Sequence, residues 1–176
     1  SVLSGAVSSG ASVVVTLTAK DASGNSLTAG GLTVAFGRAL GTSNGTFSAI
    51  TDNGNGTYTA NFTGTTSGTA TTITSTIGGS AVTSTLPTVV VNPGAVSVSL
   101  STVSVGSGSI LSGASTSITL QAKDAAGNNL TAGGLTVVFS RTGGTSTGTI
   151  SAASDNSNGT YTATFTGINS GSATTV

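Results

Sequence analysis

Side chains able to do acid–base, metal or nucleophilic chemistry are few in this 176-residue chain, and they cluster in two short constellations. "KDASGN" (Lys20–Asn25) holds Asp21, and "TDNGNGTYTANFTG" (Thr51–Gly64) holds Asp52; near copies at Lys123–Asn128 and Ser154–Gly167 hold Asp124 and Asp155. Those four aspartates are all the acids, the bases are Lys20, Arg38, Lys123 and Arg141, and His, Cys and Glu do not occur. Catalysis near neutral pH wants a group titrating near that pH, and a nucleophile wants an adjacent base. Nothing beside these aspartates resembles an activated nucleophile. A carboxylate pair for glycoside hydrolysis is formally available from Asp21 and Asp52. Its recurrence in both copies argues for a structural duty in each, so we expect no enzyme and no cofactor.

Three non-catalytic chemistries compete for the Asp/Asn/Gly-rich loops. An EF-hand calcium loop needs acidic or amide ligands at positions 1, 3 and 5 and a Glu at 12. Counted from Asp52, positions 3, 5 and 12 are Gly54, Gly56 and Thr63, so that motif fails. A different calcium site would draw on Asp21, Asn25 and Asp52 in one copy and Asp124, Asn128 and Asp155 in the other, helped by backbone carbonyls. Asn-Gly-Thr is also an N-glycosylation sequon, and of the sequons only Asn55 and Asn158 recur at equivalent positions. The reading we favour is turn chemistry, in which Asp and Asn side chains bond their own backbone.

These loops have a scaffold legible from the repeat. Shifting the sequence by 103 positions lays residues 1–73 on 104–176 without a gap and with 49 identities. The copies report which faces of the strands are constrained. In "SVVVTLTAK" (Ser12–Lys20) against "STSITLQAK" (Ser115–Lys123), Val15, Leu17 and Ala19 stay apolar, while Val14 and Thr18 become Ser117 and Gln121. Period two predicts a strand with one buried face. The same test predicts Leu32, Val34 and Phe36 inside on a second strand and Tyr58, Ala60 and Phe62 inside on a third. Turn signals at "DASGN", "TAGG", "GTSNG", "DNGNG", "TTSG" and "IGG" separate about seven strands per copy. We expect B at Ser12–Lys20, C near Leu32–Arg38, D near Thr46–Thr51, E near Thr57–Thr63, F near Thr69–Thr76 and G near Ala81–Val91. Tyr58 falls on E, as a core aromatic and not a tyrosine corner.

The fold class is therefore all-β: two tandem seven-stranded immunoglobulin-like β-sandwiches, expected to be incomplete at both chain ends. Residues 1–92 form the first, with strand A partly missing. Residues 93–176 form the second, with strand G and part of F missing. The expectation is either a window on a longer repetitive polypeptide or a neighbouring chain that supplies the missing strand by β-strand addition.

Composition narrows the partners. Charged residues make up 5% of the chain and cancel to zero net charge. Phosphate-backbone binding needs a basic footprint, so no nucleic acid is expected. No apolar run reaches the roughly 18 residues that cross a bilayer, so no membrane insertion is expected in this segment. Ser and Thr number 64 and Gly 27, which suits an exported β protein.

"TAKDASGNSLTAGGLTVAF" and "DNGNGTYTANFTGTTSGTATTI", with copies "QAKDAAGNNLTAGGLTVVF" and "DNSNGTYTATFTGINSGSATTV", resemble the bacterial immunoglobulin-like repeats of the invasin and intimin kind. The "DNxxGTY" segment is also similar to filamin-type repeats. The resemblance implies an extracellular, cell-surface setting and a stalk or spacer segment of a repetitive adhesin, partnered by neighbouring repeats of the same or adjacent chains. A subunit of an extracellular fibre assembled by strand sharing is the alternative. A carbohydrate-binding module ranks third, because seven Phe and Tyr, mostly at core positions, leave little aromatic surface. Strand C carries Arg38 to the pole where strand G leaves the first domain, so we expect Arg38 to approach Asp124 or Asp155 and help set the interdomain angle.

Overall fold

The computed structural model describes Ser1 and residues 5–176, and the chain divides into two compact units, Ser1–Gly94 and Ala95–Val176. Every regular element among the described residues is a strand. In unit 1 the sequence alternation translates directly into burial. Along β2 (Ser12–Thr18) Val13, Val15 and Leu17 are buried while Ser12, Val14 and Thr18 are exposed. β6 (Thr57–Thr66) buries Tyr58, Ala60 and Phe62. Antiparallel register sets Val13 opposite Phe62, Val15 opposite Ala60 and Leu17 opposite Tyr58, so the two apolar faces coincide. A one-residue slip of either strand would turn its apolar face outward.

That sheet is completed by β4 (Asn44–Phe47) and β5 (Thr51–Asp52), both paired to β6. The facing sheet runs β1 (Ala6–Ser8), β9 (Thr88–Asn92), β7 (Thr71–Ile77) and β3 (Val34–Ala39), with β8 (Ser80–Ala81) folded back on β7. β1 and β9 pair in parallel, and β9 and β3 run antiparallel to β7. Val7, Ile73, Val89 and Val91 from this sheet meet Val13, Val15 and Phe62 from the other in one buried cluster, with Phe36 and Phe47 against it. Each such side chain contributes about 1.5–3 kcal/mol when fully withdrawn from water. Phe47 stands 6.0 Å from Phe36 and 5.2 Å from Phe62, centroid to centroid, which continues the aromatic contact between the sheets.

Unit 2 rebuilds one of these sheets: β10 (Val96–Val105), β11 (Ser115–Asp124), β14 (Thr160–Asn169) and β12 (Thr147–Ile150), with β13 (Ser154–Asp155) on β14. β11 and β14 match β2 and β6, and Ile118, Ala122, Tyr161 and Ala163 are buried like their counterparts. β10 supplies the strand before β11 and pairs from Val96 opposite Asp124 to Val105 opposite Ile118. In unit 1 the corresponding place is marked by Ser1, whose backbone exchanges two hydrogen bonds with Thr16. The rest of the expected strand A remnant falls partly on residues 2–4, outside the described residues.

Several expectations are corrected. Strand D is two short pieces, because Ser48 leaves the ladder: its backbone N–H donates to the Asn61 carbonyl at 2.9 Å and its Oγ accepts from the Asn61 N–H at 3.0 Å. Strand G is shorter than expected, Thr88–Asn92, with Leu86 and Pro87 ahead of it. Proline lacks the N–H that a ladder needs. Leu32 is 36% exposed, not core, because it precedes β3 and its N–H is tied to the Tyr58 hydroxyl. In unit 2, Val137–Thr142, the counterpart of β3, makes a single bridge, Thr142 to Thr175, where β3 makes six registered pairs with β7.

Candidate functional site

The loops that carried the candidate chemistry form a clamp at one end of β2 and β6. Asp21 lies three residues beyond β2 and caps its own turn: one carboxylate oxygen accepts from the backbone N–H groups of Ser23 (2.9 Å) and Asn25 (2.8 Å), and the other from the Asn25 side-chain amide (3.0 Å). Backbone bonds close the same turn, from Asp21 N–H to the Asn25 carbonyl and from Gly24 N–H to the Asp21 carbonyl. The Asn25 side chain, first, and its backbone N–H, second, hold the Asp21 carboxyl below the ordinary aspartate pKa.

Asp52 works across loops. One oxygen accepts from Gly31 N–H at 2.6 Å in the loop before β3, and the other from Gly54 N–H at 2.9 Å in its own turn. These two N–H groups, Gly31 first, lower its pKa as well. A Cβ on Gly30 would fall inside contact distance of that carboxylate, which accounts for the double glycine in "TAGG". Asn55 accepts from the backbone N–H (3.1 Å) and hydroxyl (2.6 Å) of Thr57, and Asn53 donates to the Thr57 hydroxyl at 3.0 Å. Beneath these, the buried Tyr58 ring accepts Leu32 N–H at its hydroxyl, 3.0 Å away. Gly56 has φ +79° and its missing side chain makes room for the Leu27 carbonyl, which a Cβ would approach to 2.0 Å. Ala19 N–H donates to the Gly56 carbonyl and Leu27 N–H to the Ala19 carbonyl. Three chain segments are stitched together by their backbones.

Unit 2 repeats the clamp. Asp124 accepts from Ala126 N–H, Asn128 N–H and the Asn128 amide at 2.8–2.9 Å. Asp155 accepts from Gly134 N–H at 2.7 Å and Ser157 N–H at 2.8 Å, and Tyr161 accepts from Leu135 N–H at 3.0 Å. Asn158 and Asn156 hold Thr160 as Asn55 and Asn53 hold Thr57. Asp124 is almost fully buried whereas Asp21 is exposed; β10 places Val96 opposite Asp124.

The structure joins Asp21 to Asn25, and Asp52 to the loop before β3. It gives Asp124, Asn128 and Asp155 the same duties in their own unit. Arg38 is exposed on β3 opposite Ile73, at the end of the sheet toward which β9 runs, and its counterpart Arg141 donates to the Ser146 carbonyl at 3.4 Å. Among the described residues no three His, Cys, Asp or Glu side chains gather. Carboxylate oxygens already occupied by N–H donors fit a loop clamp better than a cation site, which would have to displace those bonds. Asn55 and Asn158 are exposed, with their Oδ1 atoms engaged by the following Thr. The cross-loop bonds from Gly31 to Asp52 and from Leu32 to Tyr58 were not foreseen from sequence. Their signal is the unbroken "LTAGGLTV" shared by both copies.

Sheets ordered β1-β9-β7-β3 and β2-β6-β4 have the A′-G-F-C and B-E-D pairing of an immunoglobulin-type sandwich. They define unit 1 as a β-sandwich of the immunoglobulin class, with polar side chains at one end spent on loop closure. The chain belongs to the family described as invasin, domain 3, whose model matches residues 4–94 and 97–176. Among solved structures, the Escherichia coli adhesin FdeC is similar over 98% of this chain and 55% of its own, with TM-score 0.60 and 27% identity. InvD of Yersinia pseudotuberculosis is similar over 94% and 48%, with TM-score 0.55 and 28% identity. Invasin, a bacterial integrin-binding protein, shares the fold at TM-score 0.59 and 24% identity over 97% and 34%. The chain thus spans between about a third and just over half of these chains. No curated protein sequence matches it significantly. Its domains are of the bacterial surface-adhesin kind, extracellular and non-enzymatic. No described helix is long and apolar enough to cross a membrane.

Proposed function

We propose that the chain is a stalk or spacer segment of a larger surface adhesin, serving to project other modules and to bear tension. The observation that supports this reading is the gapless duplication of 73 residues at a 103-residue offset, in which the loop clamp recurs nearly bond for bond. A binding module needs one differentiated surface, whereas a spacer needs the same joint in every unit. The clamp ties the loop before β3 to the turn before β6 through Asp52 and Tyr58. A pull along the chain therefore meets hydrogen bonds between segments distant in sequence.

The test pairs two measurements on the chain. Stretched singly, unit 1 should unfold in one discrete step that releases about 300 Å of chain, at about 3.3–3.6 Å per residue. Labelled chain added to host epithelial cells should show no saturable binding. Saturable binding to a cell-surface receptor would replace the spacer reading with that of a recognition module.

A further inference from the structure

Asn-Gly occurs four times in the chain, at Asn44–Gly45, Asn53–Gly54, Asn55–Gly56 and Asn158–Gly159. In a flexible chain the pair is chemically unstable, because glycine has no side chain to hinder attack of its backbone nitrogen on the preceding amide. The loop clamp holds three of the four away from that reaction. Gly54 N–H is bonded to the Asp52 carboxylate at 2.9 Å, which opposes loss of its proton, and the Asn53 amide is held on the Thr57 hydroxyl. The Oδ1 atoms of Asn55 and Asn158 turn to the N–H and hydroxyl of Thr57 and Thr160, and Gly56 and Gly159 pack against the carbonyls of Leu27 and Leu130. Asn44 is placed differently. It opens β4 at a bulge, where the register to β6 shifts between Asn44 and Gly45, and its Oδ1 accepts Gly45 N–H at 2.7 Å. Oδ1 is bonded to Cγ, the electrophilic carbon, so the nitrogen and the carbonyl it would attack are already in contact, the proximity that ring closure needs. Both residues are half-buried, so water reaches them. Glycine is obligatory at position 45, since a Cβ there would collide with the Phe62 ring and the Thr63 carbonyl. Unit 2 has the same bulge and the same glycine, Gly148, but Thr147 in place of the asparagine, and the Thr147 hydroxyl accepts Asn169 N–H at 3.2 Å across the strand pair.

We propose that Asn44–Gly45 is a self-modification site, at which the folded chain deamidates without an enzyme. Hydroxide removes the Gly45 N–H proton, the nitrogen bonds to Asn44 Cγ, and Nδ2 takes a proton from water and leaves as ammonia, so that a cyclic succinimide remains. Water then adds at one or other imide carbonyl and breaks its bond to the ring nitrogen, leaving an aspartyl or an isoaspartyl residue at position 44. Nothing is oxidised or reduced. The consequence falls on β9. Ser43 is fully buried and its Oγ accepts Val91 N–H at 2.9 Å, and isoaspartate inserts an extra methylene into the backbone one residue away. Ageing therefore loosens unit 1 where β9 is anchored and spares unit 2, which has no asparagine at its bulge. The chemistry is independent of the spacer role.

The test incubates the 176-residue chain at mildly alkaline pH, folded and in urea, and follows each Asn-Gly pair by peptide mapping with enzymatic methylation of isoaspartate. In the folded chain position 44 should be modified at least about tenfold faster than Asn53, Asn55 and Asn158, and faster as the pH rises. In urea that preference should vanish, because the contact between Gly45 and the Asn44 amide is lost. Asn44→Thr, which takes the residue of the second copy at its bulge, should abolish the early product and leave the starting melting curve unchanged. Aged wild-type chain should show a lowered melting temperature for unit 1 and shifted methyl signals of Val89 and Val91, with the signals of unit 2 unmoved. Reaction at position 44 no faster than at the other three pairs in the folded chain, or a preference for position 44 that persists in urea, overturns the site. Modification at position 44 that leaves Val89 and Val91 unmoved overturns its effect on β9.

Discussion

Unit 1 and unit 2 share their loops and differ in their cores. The clamp of Asp52, Gly31 and Tyr58 recurs as Asp155, Gly134 and Tyr161 with bonds that differ by 0.1 Å or less. Phe62, by contrast, is fully buried and Phe165 half-buried; β3 makes six registered pairs with β7 while its counterpart Val137–Thr142 makes one bridge. The turns close through residues within a few positions of one another or across one loop pair. The cores need strands brought from far along the chain. Local closure is thus the invariant of the repeat, and in unit 1 the core is completed by Ile73, Val89 and Val91.

The largest test of this contrast is in the core. Phe62→Ala should destabilise unit 1 by about 3–5 kcal/mol, and Phe165→Ala should destabilise unit 2 by less than half of that, because a half-buried ring leaves a smaller cavity. Urea denaturation, followed by probes placed in each unit, measures both. Equal losses would show that the two cores are equivalent in solution.

The loops should behave oppositely. Gly56→Ala and Gly159→Ala each force a left-handed residue to carry a Cβ, at φ +79° and +81°, and each drives that Cβ to about 2 Å from a carbonyl, of Leu27 or Leu130. We expect losses of about 2 kcal/mol or more, alike in both units. Removing the hydroxyls is milder: Tyr58→Phe and Tyr161→Phe each leave a loop N–H without its acceptor, at about 1–2 kcal/mol. A loss confined to one unit would mean that the clamps are coupled to their different cores.

How far the sequence revealed this architecture follows the same division. Comparing the copies located the buried faces of β2 and β6, because alternation is a property of each strand alone. It also placed the turns, whose Asp, Asn and Gly act on their immediate neighbours. It did not reveal the break at Ser48, which depends on a side chain replacing a backbone group opposite Asn61. "GLTVAFGR" forms a ladder with β7 while the nearly identical "GLTVVFSR" makes one bridge, because pairing is set by the strand across the sheet, which no local pattern encodes. Leu32 misled because it continues the alternation of β3 by one step into a loop held by Tyr58.

The smallest expected effect concerns protons. Asp21 and Asp52 hold their carboxyls below the ordinary value of 3.8, through the Asn25 amide in one case and the Gly31 N–H in the other. A depressed folded-state pKa means that the unfolded chain binds the proton more tightly. The stabilisation is therefore complete above the unfolded pKa and is lost as pH falls through the folded one. The melting temperature of unit 1 should stay level from about pH 8 to about pH 5 and drop below about pH 4, where carboxylates begin to protonate. Asp21→Asn keeps an oxygen for the Ser23 and Asn25 N–H groups but removes the charge, so it should lower the neutral plateau slightly and leave the acid end of the curve, where the carboxyl is protonated in both states, nearly unchanged. Asp52→Asn should do the same through Gly31 and Gly54. Both carboxylates are exposed, so salt should shrink the difference. An acid limb identical in wild type and both variants would assign acid sensitivity to other groups and reduce the clamp's charge to a geometric role.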